Sequence, residues 1–202
     1  MFTAVDDLLR PLYVHLAATD QCYFLREYTS GRGFAHSDTN RLILNLKKPP
    51  DRAGLPEWHY KEQAIQQVAR EFRASLNLAR LRAVTFVPIP PSKCKDDPLY
   101  DDRMLRVLQA LDVDGQLDIR ELLLVGESTE AAHATMTRRS IQDLIANLTI
   151  AEDAAHPAPS TIALVDDVLT TGAHFVAAKH VLTTRFLGIS VRGLFVARRV
   201  FP

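Results

Sequence analysis

Two adjacent acids, Asp166 and Asp167, stand two residues ahead of a hydroxyl-rich turn, Thr170-Thr171-Gly172, in the segment TIALVDDVLTTGAHF at 161–175. Carboxylates accept hydrogen bonds from sugar hydroxyls, whereas threonine hydroxyls and backbone N–H groups donate to phosphate. Together they suit a ribose 5-phosphate. Gly172 lets the backbone approach an anion closely. Ahead of the acids, Ile162 to Val165 read as a buried strand, and a helical pattern begins after the glycine. That context puts the acids at the carboxyl edge of a strand, where open parallel sheets bind ligands. It also puts the turn at a helix amino terminus, which favours phosphate. Paired acids also close strands in nucleoside triphosphatases and receiver domains. A triphosphatase needs a GxxxxGK[ST] loop, however, and the chain contains no Gly-Lys pair. A receiver needs its phosphate-accepting acid on a different strand end.

Four short apolar runs are the candidate strands that position this segment: Ala83–Ile89, Glu121–Val125, Thr161–Val168 and Val191–Val196. Helical patterns lie between them at Met104–Leu111, Ile141–Leu148 and Phe175–Leu182. A longer helix is expected from Tyr60 to Leu78, with Ile65, Val68, Phe72 and Leu76 on one face. Nearer the amino terminus, residues 1–20 read as a short amphipathic helix containing Pro11, and Cys22–Tyr28 as a strand closed by a turn. Asp38-Thr39-Asn40 reads as the cap of a short helix, and AEDAAHPAPS at 151–160 as a linker loop. Strand runs alternating with helices predict an α/β fold, with a mainly parallel, doubly wound sheet covered on both faces. The expected division is an amino-terminal cap over residues 1–80 and an α/β core over 81–202.

Composition narrows the function class. The chain has 202 residues, 47% of them apolar and 24% charged, with Lys+Arg and Asp+Glu both at 24. That balance gives a nucleic-acid or anionic-membrane partner no support at whole-chain level. Two cysteines, Cys22 and Cys94, cannot make a four-thiolate zinc site. No stretch reaches the ~18 apolar residues of a spanning helix, and the first residues lack the basic flank of a signal peptide. A cytoplasmic protein is expected. The loop KCKDDPLYDDR holds four acids, Asp96, Asp97, Asp101 and Asp102. These read as turn formers and helix caps, with a hard cation as the alternative.

The run VDDVLTTGA resembles the phosphoribosyl-diphosphate signature of type I phosphoribosyltransferases: apolar strand, two acids, two residues, then a threonine-glycine turn. The resemblance implies that fold, with a small amino-terminal hood. It implies that Asp166 and Asp167 hold the ribose hydroxyls, and through them or through water a Mg²⁺ ion. Thr170, Thr171, Gly172 and Ala173 would hold the 5′-phosphate. Where relatives carry a hydroxyl this chain has His174, whose imidazole can also donate to phosphate. Ser92 and Lys93, with Lys95 and Arg103 behind them, would be the diphosphate donors of the loop FVPIPPSKCKDDPLYDDRM. Arg138 and Arg139 would belong to a mobile loop closing over the substrate.

The succession VPIPPSK, TMTRRSIQDLIANLTI, IALVDDVLTTGA is similar to the ComF branch of that family over roughly residues 40–202, and Asn45-Leu46-Lys47 resembles a lysine-bearing helix there. The chain departs from the branch in three ways. It lacks the zinc ribbon, it has an acidic diphosphate loop, and its Arg138-Arg139 pair is adjacent rather than spaced. The expected function is Mg²⁺-dependent transfer of a phosphoribosyl group to an acceptor nitrogen. Lys93 and Arg138 would assist alongside the acids, and Tyr23, Phe24, Tyr28 or Phe34 are candidates to stack on the acceptor. The alternative is a non-catalytic binder of phosphoribosyl diphosphate or a nucleotide. A homodimer or complex subunit is open in either case. A single-stranded DNA role, as a third reading, gains nothing from the zero net charge.

Overall fold

A computed structural model describes residues 1–129 and 140–201. The chain is an α/β protein built on a mostly parallel mixed sheet. Its strands are β1 (Thr3–Ala4), β2 (Gln21–Thr29), β3 (Thr85–Pro88), β4 (Asp118–Ile119), β7 (Thr161–Leu169) and β8 (Ser190–Val200), in the order β1-β2-β8-β7-β3-β4. β1 alone runs antiparallel to its neighbour. Two further short strands, β5 (Leu123–Val125) and β6 (Leu148–Ile150), form an antiparallel pair apart from this sheet.

The helices are α1 (Asp38–Leu46), α2 (His59–Ser75), α3 (Arg103–Leu111), α4 (Ile141–Ala146) and α5 (Ala173–Arg185). α1, α2 and α3 cover one face of the sheet. They lay Ile43, Leu46, Val68, Phe72 and Leu108 against Phe86, Val165 and Val196. α5 covers the other face, packing Phe175, Ala178 and Leu182 with Tyr13 and Leu16 against Ile162, Leu164 and Phe195. Burial of each such side chain contributes about 1.5–3 kcal/mol relative to leaving it in water. Gly193 of β8 is what lets α5 lie so close. A Cβ there would stand 2.7 Å from Phe195 and 3.1 Å from both Cys22 and Phe175.

Most expected elements are present within a few residues of their expected ends, and the exceptions have physical causes. Residues 1–20 do not form an amphipathic helix. They hold β1 and a single 3₁₀ turn at Arg10–Leu12 with Pro11 inside it. The Asp6 carboxylate accepts from the Leu8 and Leu9 amides, fixing a turn instead, so Leu8 stays exposed while Tyr13 and Leu16 are buried. The run Glu121–Val125 does not join the main sheet. Its register partners are Leu148–Ile150, and that pairing also ends the helix expected to run to Leu148. The cap of α1 is Ser37, whose hydroxyl accepts from the Asn40 amide. Asn40 itself is committed to the end of β2, exchanging hydrogen bonds with Thr29.

The boundary expected at residue 80 divides the chain but not the sheet. β2 pairs with β8 along its length, with Phe24 beside Phe195, and α1 and α2 share one core with α3. The expected cap is thus part of the same packed unit. Among the described residues no helix is long and apolar enough to cross a membrane.

Candidate functional site

β3 and β7 lie side by side, and the chain leaves them in opposite directions. From β3 it passes through α3 to β4 at one edge. From β7 it passes through α5, on the other face, to β8. Such a switch point opens a crevice beyond the strand ends. Here the pairing of β3 with β7 stops at Pro88–Val165, and the Ile89 amide donates last to the Val165 carbonyl at 2.9 Å. Asp166 and Asp167 are the next two residues. β7 continues beside β8 as far as Leu169, so the acids lie within an anchored strand while their other flank is open.

A cavity of about 460 Å³ occupies this crevice. Its walls include Asp166, Asp167, Thr170, Thr171, Ala173 and His174 from the β7–α5 junction, and Ser92 from the loop after β3. The residues expected from the sequence that are brought together are these seven and Arg103, which also lines the cavity. Gly172 acts through its backbone. Its φ of +87° is in the left-handed region, and a Cβ would stand 2.7 Å from the Leu16 side chain. The turn is further braced by the His15 amide, which donates to the Thr171 carbonyl at 3.2 Å. The first amides of α5 have no carbonyl one turn back to receive them, and they adjoin two threonine hydroxyls. That end favours an anion.

The two acids differ sharply. Asp167 is 3% exposed. Its Oδ1 lies 2.9 Å from Lys47 Nζ, and its Oδ2 accepts from Arg103 Nε at 2.8 Å and Nη2 at 2.5 Å. Burial alone would raise its pKa, but the charges of Lys47 and Arg103 outweigh burial and hold the carboxyl well below the usual carboxylate range. Asp166 accepts the Asp167 amide at 2.8 Å. Burial, reinforced by the charge of Asp167, pushes its pKa up to about 7 against the opposing pull of Lys47.

Behind Asp167 the network continues. Arg103 Nη1 donates to Asp101 at 2.8 Å. Asp101 in turn receives Lys61 Nζ on both oxygens, each at 2.8 Å. Two of the four acids of the loop after β3, Asp97 and Asp101, thus have structural partners. Asp101 also accepts the Arg103 amide at the start of α3, and Asp97 accepts the Leu99 amide in a turn.

Several expected positions lie elsewhere. Lys93 is not among the residues lining the cavity, and its Nζ is 3.9 Å from Asp97. Lys95 pairs with Glu121 at 2.8 Å. Arg138 and Arg139 lie outside the described residues. Phe24 is buried in the core on the α5 face, Tyr23 and Tyr28 pack against the core on the α1–α3 face, and none of these three nor Phe34 lines the cavity. Conversely, His15, Tyr100, Asn147 and Arg199 do line it. Their signals in the sequence are single residues in loops or strand ends, with no spacing to mark them.

The donor set also bears on magnesium. Among the described residues no three His, Cys, Asp or Glu side chains converge on one metal point. Asp167 is committed to cations, which leaves the Asp166 carboxylate as the hard oxygen donor of the acid pair facing the cavity. One carboxylate fits a Mg²⁺ held chiefly by substrate phosphates and water, the usual habit of that ion. A scan against protein-family models gives no match to the chain, and no curated protein matches it.

Proposed function

We propose that the cavity binds phosphoribosyl diphosphate and that the protein transfers its phosphoribosyl group to an acceptor nitrogen. The observation that carries this reading is the shared cavity: an acid pair on β7 and an anion-favouring turn at α5 open onto one space at the switch point of the sheet. In this reading Thr170, Thr171, the Ala173 amide and His174 hold the 5′-phosphate. Asp166 accepts from a ribose hydroxyl and, directly or through water, faces the Mg²⁺. A Mg²⁺ held there would supply charge neutralisation for the leaving diphosphate. Lys47 and Arg103 border the same wall and add positive potential where diphosphate charge accumulates, with Ser92 as a further donor. The protein contributes position and charge stabilisation, and the acceptor attacks the anomeric carbon as diphosphate leaves.

The test is titration of the protein with phosphoribosyl diphosphate and Mg²⁺, followed by diphosphate release in the presence of a panel of bases and amines. Saturable binding is expected, lost in Asp166→Asn. Absence of binding to the unaltered protein overturns the reading.

One observation favours a second reading, a receptor without turnover. Both Asp167 oxygens are engaged by Lys47 and Arg103, which leaves one acid of the pair open to a ribose diol. Tight binding with no diphosphate release on any acceptor would select it.

A further inference from the structure

α2 contributes no residue to the cavity wall among those described, yet its first turns hold an unusual side chain. Lys61 is 1% exposed. Burying an ammonium is costly unless every donor is met, and here they are met. Nζ donates to the Leu46 carbonyl at 2.9 Å, to the Lys48 carbonyl at 2.7 Å and to both oxygens of Asp101 at 2.8 Å. These acceptors form two arms. The two carbonyls flank Lys47, so one arm sets the backbone that carries this cation. Asp101 holds Arg103 Nη1 at 2.8 Å, so the other arm sets the second cation. Lys47 and Arg103 are the two groups that hold Asp167.

We infer that Lys61 is the positioning residue of the acid pair: from outside the cavity it fixes Lys47 and Arg103, and through them the orientation of Asp167. A lysine needed only to close the end of α1 would have no call for Asp101. A lysine needed only to neutralise Asp101 would not reach the carbonyls of 46 and 48. A single ammonium serving both arms ties the end of α1 to the start of α3 across α2, and the strand end of β7 receives one cation from each. The consequence for ligand affinity rests on the sugar-phosphate reading above; the geometric claim does not.

The experiment uses the full chain with Lys61→Met, and with Lys61→Met combined with Asp101→Asn measured against Asp101→Asn alone. The double variant removes both buried charges together, which proteins tolerate far better than stranding one. Three quantities are read: thermal unfolding, affinity for phosphoribosyl diphosphate with Mg²⁺, and the ¹H–¹⁵N signal of the Arg103 Nε–H group, assigned with Arg103→Lys. Loss of Lys61 is expected to move the Arg103 signal and speed its hydrogen exchange. Affinity is expected to weaken roughly ten- to a hundredfold, the usual cost of removing a residue that orients a binding group, even where the double variant melts like Asp101→Asn. An unmoved Arg103 signal, or unchanged affinity in a folded variant, overturns the inference. Failure of both variants to fold overturns it too, since Lys61 would then be scaffold. If the unaltered protein does not bind phosphoribosyl diphosphate, the sugar-phosphate reading falls, and the Arg103 signal alone decides the positioning claim.

Discussion

Asp166 and Asp167 are neighbours in the chain and strangers in environment. Asp167 turns toward the α1–α3 side, where Lys47 and Arg103 close on it and the ion-pair chain runs back to Lys61. Asp166 faces the cavity and the α5 turn, with the Asp167 amide as its hydrogen-bond donor. One carboxylate is committed to holding the site together and the other is kept available. The difference arises because a β-strand sends successive side chains to opposite sides, so adjacent acids at a switch point meet two different layers of the fold.

The sharpest way to break that contrast is Asp167→Asn. It takes the shared carboxylate from Lys47 and Arg103, leaving Arg103 only its ion pair with Asp101, and breaking a buried pair in this way costs about 3–5 kcal/mol. Denaturant unfolding should register that loss, and ligand affinity should fall with it. Next in size is Gly172→Ala on the cavity side. A left-handed backbone costs a residue with a Cβ about 1–2 kcal/mol, and the new methyl meets Leu16. Stability should fall by at least that amount, with phosphate affinity falling in parallel.

The smallest effect, and the most informative, belongs to Asp166→Asn. Because the pKa of Asp166 is raised to about 7, the folded state retains a proton that the unfolded chain has lost. Its stabilising contribution is full below the ordinary carboxylate range and disappears as pH rises through about 7. Asp167, with its lowered pKa, does the reverse, contributing above the ordinary range and losing that contribution as pH falls. Asp166→Asn should therefore raise stability at pH 8 by on the order of 1 kcal/mol while abolishing ligand binding. In the unaltered protein, affinity for phosphoribosyl diphosphate should increase as pH rises through about 7, because the ionised carboxylate is the better acceptor. A flat profile between pH 6 and 8 would show that Asp166 does not meet the ligand.

The β7–α5 junction was legible because its meaning is local. Strand, acids, turn and helix start occupy consecutive residues, and each obeys its own short-range rule. Arg103 is expected from the sequence as a diphosphate donor and Lys47 as part of a lysine-bearing helix, but their pairing with Asp167 is not legible there. Lys47 ends α1 and Arg103 begins α3, far from Asp167 in sequence, and they meet it only once three helices pack on one face. Lys61 was hidden for another reason. Lysines at exposed helix positions are common, and no periodicity separates one that is buried from one that is solvated. The amino-terminal segment misled because Leu8, Leu9 and Leu12 mimic a helical stripe, whereas Pro11 and the Asp6 cap dictate a turn. Lys93 was favoured by its place in a loop. The path of that loop carries it toward Asp97 and not into the cavity.

The pairing of β2 with β8 sets an order of assembly. Between β1, two residues long, and β8, made from the last part of the described chain, β2 has no other strand to join. During synthesis Gln21–Thr29 must wait, its apolar residues Phe24 and Cys22 uncovered, until Ser190–Val200 has emerged. Pairings this distant in sequence slow folding and prolong exposure of strand edges.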